Sequence, residues 1–279
     1  MAQSRRTELP KRRRTGTPSH GSPVAPAHGH TGGPRVLVDR EGGVATLTLD
    51  RPDKRNALDR RSIAELRAAI TECDLAADVR VVALRGAGKD FCAGLDLDEL
   101  IASADLPPEE DERRALELGE VFLALRALPK VTVAVVRGKA LAGGCGLASA
   151  CDLVVARAGS RFGYPEIDRG FVPAMAMTML RRTVGEKTAF DLAATGRVLD
   201  AEEALRVGLV SRVLPAETFE AGITKLLASL AALPVSALAL TKRQFYRFDA
   251  ASFAEGIRVG AQVDSLARQT PDFRAAIAP

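Results

Sequence analysis

The sequence predicts an α/β core followed by a helical C-terminal portion. Short apolar runs rich in β-branched residues, at 81–84, 131–136 and 153–156, alternate with stretches whose apolar residues recur at helical spacing, the pattern of strands connected by crossover helices. The first two of these runs give way to loops of glycine and other small residues, and after Pro173 helical spacing takes over almost without interruption. On this basis the 279 residues divide into a basic tail at 1–34, an α/β core at 35–205 and a helical portion at 206–279.

Residues 1–34 are rich in Pro, Gly, Ser, Thr, His and Arg and almost free of large apolar side chains. Burial cannot offset the entropy of ordering such a segment, so it is expected to be disordered. Its prolines interrupt any amphipathic helix, which argues against a transit peptide. The pattern changes at Arg35. Val36 and Val38, then 44–49, read as a hairpin around Glu41-Gly42-Gly43, with Ala45, Leu47 and Leu49 sharing one face. Asp59 stands where a helix N-cap belongs, ahead of Ile63, Leu66, Ala69 and Ile70 on one helical face. The run 81–84 is uniformly apolar and ends at Gly86-Ala87-Gly88, as a buried parallel strand does. A helix around 116–128, a strand at 131–136, a glycine-rich turn and a strand at 153–156 repeat the cycle. Helices are then expected at 174–182, 186–195, 201–207, 216–232, 236–247 and 251–268, with Leu233-Pro234 separating the fourth from the fifth.

Composition bounds the chemistry. With 47% hydrophobic residues the chain can bury a large core, and no apolar run approaches the roughly 20 residues of a membrane-spanning helix. The N-terminal charges have no hydrophobic segment behind them, so no secretory signal is expected and the cytoplasm is the expected location. Cys73, Cys92, Cys145 and Cys151 fit neither a zinc spacing nor a disulfide scaffold and read as buried thiols. The formal net charge of +4 is uneven: Arg5, Arg6, Lys11, Arg12, Arg13 and Arg14 stand against Glu8 alone in the tail, leaving 33 basic and 34 acidic residues beyond it. The pI of about 9.0 therefore belongs to the tail, and no nucleic-acid-binding surface is expected on the fold. His20, His28 and His30 lie in the tail as well. A core without imidazole loses Ser-His-Asp and Cys-His catalysis and argues against a zinc or iron site, so no metal is expected. Acid–base work falls to carboxylates, lysines, tyrosines or cysteines.

Two loops have small residues where a strand hands over to a helix: FCAGLDL at 91–97 and LAGGCGL at 141–147. Small side chains let a ligand approach the backbone, and the first amides of a helix have no internal acceptor. Two such amides aimed at one point form an oxyanion hole. Neither loop matches GxxxxGK[ST] or an opening GxGxxG, which removes support for nucleotide hydrolysis and hydride transfer.

With these loops in place, the chain resembles the enoyl-CoA hydratase/isomerase (crotonase) family from about Val36 to about Asp272. The resemblance rests on LDRPDKRNAL at 49–58, FCAGLDL at 91–97, VVRGKALAGGCGLA at 135–148, Cys151-Asp152 and FGYPEIDRG at 162–170. It implies a spiral of (ββα) turns for the core. It also implies a homotrimer or dimer of trimers assembled through the helical portion at 206–279, and an acyl-CoA thioester as substrate. No separate cofactor is implied, since CoA is part of the substrate. By position, the oxyanion amides are those of Leu95 and Gly143, and Glu166 is the catalytic carboxylate. Arg55 and Ala57 fall in the stretch that approaches the CoA phosphates, Ala93, Asp96 and Leu97 in the stretch over its adenine end, and Gly146 in the acyl site.

One departure bears on the reaction. Hydratases of the family carry a second glutamate in GGGCELA, and here that position is Gly146. The resemblance implies 2-enoyl-CoA hydration or related enolate chemistry with Glu166 as the catalytic glutamate; because hydration commonly uses two carboxylates, the alternative is a Δ3,Δ2-enoyl-CoA isomerisation, in which one carboxylate removes a proton at C2 and returns it at C4. Glu117, Glu120 and Asp168 are the acidic residues considered as replacements. The remaining alternatives are a non-catalytic acyl-CoA-binding member and an interaction driven by Arg12-Arg13-Arg14 in the tail.

Overall fold

Alternating apolar and polar residues build the first hairpin. In a computed structural model that describes residues 33–278, β1 (Val36–Glu41) and β2 (Val44–Leu49) pair antiparallel across Gly42-Gly43. Ala45, Leu47 and Leu49 point into the core while Val44, Thr46 and Thr48 are half-buried. The tail expected to be disordered at 1–34, with its histidines and arginine cluster, lies almost wholly outside the described residues.

α1 (Arg60–Leu75) starts at Asp59, whose carboxylate accepts from Ser62 N–H at 2.7 Å, as the N-cap reading requires. β3 (Val81–Gly86) follows and pairs in parallel with β2. The next helices are α2 (Leu97–Ser103) and α3 (Pro108–Ala127). α3 begins eight residues ahead of the expected position, on a first turn that carries Glu109, Glu110 and Asp111. Acidic residues suit the positive end of a helix, and their polarity hides the apolar periodicity that would have announced it. β4 (Val131–Val136) is buried at every position.

From here the short strands appear. β4 is followed by β5 (Lys139–Leu141) and α4 (Gly143–Ala150), and β6 (Leu153–Arg157) by β7 (Arg161–Gly163). α5 (Ala174–Thr183), α6 (Glu186–Thr195), β8 (Val198–Asp200) and α7 (Ala201–Arg206) complete this half. β5, β7 and β8 form a second, three-stranded sheet. After β2 and β3 the same place is taken by single bridging residues, Leu58 paired with Leu95 and Cys92 with Ala140. Long strand, short strand or bridge, then helix is thus the repeating unit, which is the (ββα) spiral. Three-residue strands are too short to show a period of two, which is why the sequence did not reveal the second sheet.

The large sheet runs β1-β2-β3-β4-β6-β9, where β9 (Arg212–Leu214) joins β6 in parallel. One face, including Leu47, Val82, Leu84, Ala134 and Val136, packs against Leu66 and Ile70 of α1, Val121 and Leu125 of α3 and Leu147 of α4. The other, with Val81, Ala83, Val133, Val135 and Val155, is covered by Phe219, Ile223, Leu226 and Leu227 of α8 (Phe219–Ala231). Coverage of both faces accounts for the uniformly apolar central strands. It also corrects the expected boundary at 205: the last strand and the helix that seals the sheet both come after it, so the core extends to Ala231.

α9 (Val235–Arg247), α10 (Phe253–Arg268) and α11 (Pro271–Ala276) end the described chain. α9 is anchored by Lys242, whose ammonium donates to the carbonyls of Leu125 at 2.7 Å and Lys130 at 2.9 Å and pairs with Asp152 at 2.8 Å. Lys130 in turn caps the C-terminal end of α1 through the carbonyls of Cys73 and Ala76. Phe245, Phe253, Ile257 and Ile277 leave apolar surface exposed on these last helices. Among the described residues no single helix is long and apolar enough to cross a membrane.

Candidate active site

The two small-residue loops meet. Cys92 bridges Ala140, and Leu141 N–H donates to Cys92 O at 3.0 Å, so the strand ends hold the loops side by side. Gly94 has φ +96°, and a Cβ placed there would lie 2.8 Å from Ala142 Cβ and 3.1 Å from Gly143 N. Only glycine allows that approach. A Cβ on Gly143 would stand 3.8 Å from Leu95 N, so the two amides predicted to form the oxyanion hole are neighbours across a small gap. Neither N–H has a hydrogen-bond acceptor among the described residues. Gly143 is the first residue of α4, where the helix leaves its amides unpaired and its dipole favours negative charge. Ala142, the residue before it, is held at φ +53° and ψ −132° by donating its N–H to Gly163 O at 2.8 Å.

That contact also joins the second loop to the turn that carries Glu166. β7 ends at Gly163, Tyr164 is fully buried with its hydroxyl 3.4 Å from Ser149 Oγ of α4, and Glu166 follows in a 3₁₀ turn, Pro165–Arg169. Burial pushes the Glu166 carboxyl above its ordinary range, partly offset by its own backbone N–H. Its Oε2 is buried and has no hydrogen-bond partner among the described residues. The Cys145 thiol, two residues into α4 from Gly143, is pushed up to about 12 by burial, and the charge of Glu166 adds to that shift.

Gly146 lies under the same roof. A Cβ there would sit 2.9 Å from Ala176 Cβ of α5 and 3.3 Å from the Phe122 ring of α3. The space beside Gly146, where a second carboxylate is sought, is therefore bounded by apolar atoms. The acidic residues considered as substitutes are placed otherwise: Glu117 pairs with Arg60 at 2.9 Å, Glu120 pairs with Arg67, and Asp168 is exposed on its turn. No group of three or more metal-ligating side chains occurs among the described residues.

The residues expected to contact CoA line the edge of the first loop. Arg55 is exposed at φ +52°, and its carbonyl accepts from Ala93 N–H at 3.1 Å. Ala57 is buried, and Leu97 is exposed at the start of α2. Asp96 is different: its carboxylate accepts from Asp98 N–H and forms a 2.8 Å ion pair with Arg51, so it caps α2 and faces inward. Three residues escaped the sequence reading. Leu118 and Phe122, spaced i and i+4 on α3, reach the Gly143 and Gly146 positions, a spacing visible in the sequence but indistinguishable there from ordinary core. Arg51 lies inside the LDRPDKRNAL motif, and nothing local marks its partners.

The profile of the enoyl-CoA hydratase/isomerase family matches residues 39–274. A putative enoyl-CoA hydratase of Thermus thermophilus is 38% identical over 242 residues, covering 87% of this chain and 95% of that protein. A short-chain-enoyl-CoA hydratase of Clostridium acetobutylicum is also 38% identical, over 64% of this chain and 68% of its own. The crystal structure of an enoyl-CoA hydratase from Mycobacterium smegmatis superposes with a TM-score of 0.83 at 34% identity, covering 86% of this chain and 93% of the other. The fold, the meeting of the two loops and these likenesses agree: the chain is an enzyme of the enoyl-CoA hydratase/isomerase family and has the crotonase fold.

Proposed function

We propose that the protein acts on an acyl-CoA thioester through an enolate whose oxygen is held by the Leu95 and Gly143 amides, with Glu166 as its one catalytic carboxylate. The observation that carries this reading is Glu166 Oε2, buried and without a partner. A buried carboxyl with one oxygen left without a donor holds its proton more tightly than a solvated one, which suits a group that takes a proton and returns it. Isomerisation of a 3-enoyl-CoA to the 2-enoyl-CoA uses only this equipment. Glu166 removes a proton at C2, the electrons spread into a dienolate held in the hole, and the same carboxyl delivers its proton to C4 while the double bond moves into conjugation. The apolar filling beside Gly146 supports this reaction over one that needs a second carboxylate. Hydration of a 2-enoyl-CoA is the second reading, favoured by the names of the Thermus and Clostridium relatives.

Incubation with crotonyl-CoA and, separately, with a 3-enoyl-CoA, with the products identified, decides between them. Conversion of the 3-enoyl ester without hydration of crotonyl-CoA is expected. Full activity of Glu166→Gln on whichever ester the wild type converts overturns the assignment of the carboxylate. In this scheme Arg55, Ala57, Ala93, Leu97 and the Asp96 backbone contact CoA, which is part of the substrate, and no other cofactor takes part. The exposed apolar residues of the last helices fit a homotrimer or a dimer of trimers in the cytoplasm, and sedimentation equilibrium tests the assembly.

A further inference from the structure

We propose that Arg51 is a positioning residue for the first oxyanion donor: acting through the Asp96 carboxylate, it fixes the peptide that presents Leu95 N–H. The inference rests on the oxyanion-hole reading above. Leu95 belongs to no helix or long strand, so its amide direction must be set by its neighbours. Gly94 O accepts from Leu58 N–H at 2.8 Å and Asp96 N–H donates to Leu58 O at 3.0 Å, which clamps the chain on both sides of Leu95. Backbone bonds alone leave that clamp free to slide with the 49–58 loop. Arg51 removes the freedom. One guanidinium nitrogen lies 2.8 Å from Asp96 Oδ2, 3.3 Å from Asp59 Oδ2 and 2.7 Å from Ala57 O. It ties together the N-cap carboxylates of α1 and α2 and the loop carbonyl two residues ahead of the first. Arg51 N–H also donates to the side chain of Asn56 at 2.9 Å, and Asn56, buried at φ +55°, donates onward to Ala87 O and Asp90 O.

The side chains of Arg51, Asp59 and Asp96 are 10%, 11% and 7% exposed, so water does not loosen the cluster. Burial pushes the Asp96 carboxyl up, but the guanidinium of Arg51 and the Asp98 amide outweigh it and hold the group below its ordinary range. The charged form of Asp96 is thus favoured by the same contacts that fix its position. An oxyanion donor acts only when it is preorganised at hydrogen-bond distance, and a displacement of about 1 Å costs roughly 100-fold in rate. A cation that locks the loop on both sides of the donor supplies that preorganisation without touching the substrate.

The test pairs Asp96→Asn, which keeps the cap acceptor and the side-chain shape, with Arg51→Met and the double variant. The expected result is a fall in kcat of about 10- to 100-fold in each, a KM changed less than threefold, and a double variant no slower than the worse single one. Infrared difference spectra of bound crotonyl-CoA labelled with 13C at the carbonyl give a readout that needs no turnover and is indifferent to stability. The C=O stretch falls in frequency on the wild type and returns towards its free value on Asp96→Asn. If Arg51→Met does not fold, Asp96→Asn decides alone. A carbonyl shifted as far on Asp96→Asn as on the wild type, or an unchanged kcat, overturns the role of Arg51. A wild-type carbonyl that does not shift overturns the oxyanion hole itself and the inference with it.

Discussion

Asp152 and Glu166 are both carboxylates sunk into the same half of the molecule, and they are treated in opposite ways. Asp152 receives the amide and hydroxyl of Thr132, the Tyr246 hydroxyl and the Lys242 ammonium, all between 2.7 and 3.0 Å. Glu166 Oε2 receives nothing. A carboxylate with its lone pairs filled serves as a joint, here between α9 and the start of β4. One left partly unsatisfied is costly to bury and has its charge poised to change, the condition of a group that exchanges protons. Burial alone does not separate the two. The donors do.

The sharpest way to break the comparison is to remove the carboxylate at each end. Glu166→Gln should lower kcat by about 1,000-fold, within the range of general acid–base groups, with the fold intact by circular dichroism. Asp152→Ala should do the reverse: urea denaturation should show a loss of about 3–5 kcal/mol, because Lys242 stays buried without its counter-charge, while kcat of the folded fraction stays within about twofold. Next in size, Gly146→Ala should cost about 1–3 kcal/mol, since the new methyl meets Ala176 and Phe122, and should bring no hydration of crotonyl-CoA.

Glu166 also links stability to pH. The folded-state pKa of Glu166 is raised by burial, so the native state binds this proton more tightly than the unfolded chain does. Its contribution to stability is present in acid and is lost as pH rises through the folded value. Glu166→Gln should accordingly melt above the wild type at neutral pH, with the gap closing on acidification, while the acid limb of kcat/KM falls above the ordinary carboxylate range. Smallest of all, Ala142→Gly should gain about 1 kcal/mol by relieving a left-handed alanine, net of the added chain entropy.

Much of this was legible in the sequence, because period and capping are local. Asp59 and the Ala45-Leu47-Leu49 face are set by neighbours within a few residues, and the uniformly apolar 131–136 run declared a strand covered on both sides. The short strands were not legible, since three residues hold no period, nor was the boundary near 205, since β9 joins the sheet through β6. In the site, glycine positions revealed the loops but not what fills the space at Gly146, which depends on α3 and α5. Arg51 shows the limit most clearly: two of its carboxylate partners lie 8 and 45 positions away, and only the folded chain brings them to one nitrogen.

Lys130 and Lys242 carry one further consequence. The Lys130 side chain closes the end of α1, and its carbonyl receives Lys242 from α9, so residues 73 and 242 share a relay only two amines long. α9 cannot leave without stranding a buried ammonium, and that ammonium is bonded to the residue that finishes the first helix. Opening of the C-terminal helices is thereby linked to fraying of α1, and in native-state hydrogen exchange the last turn of α1 and the middle of α9 should open as one cooperative unit.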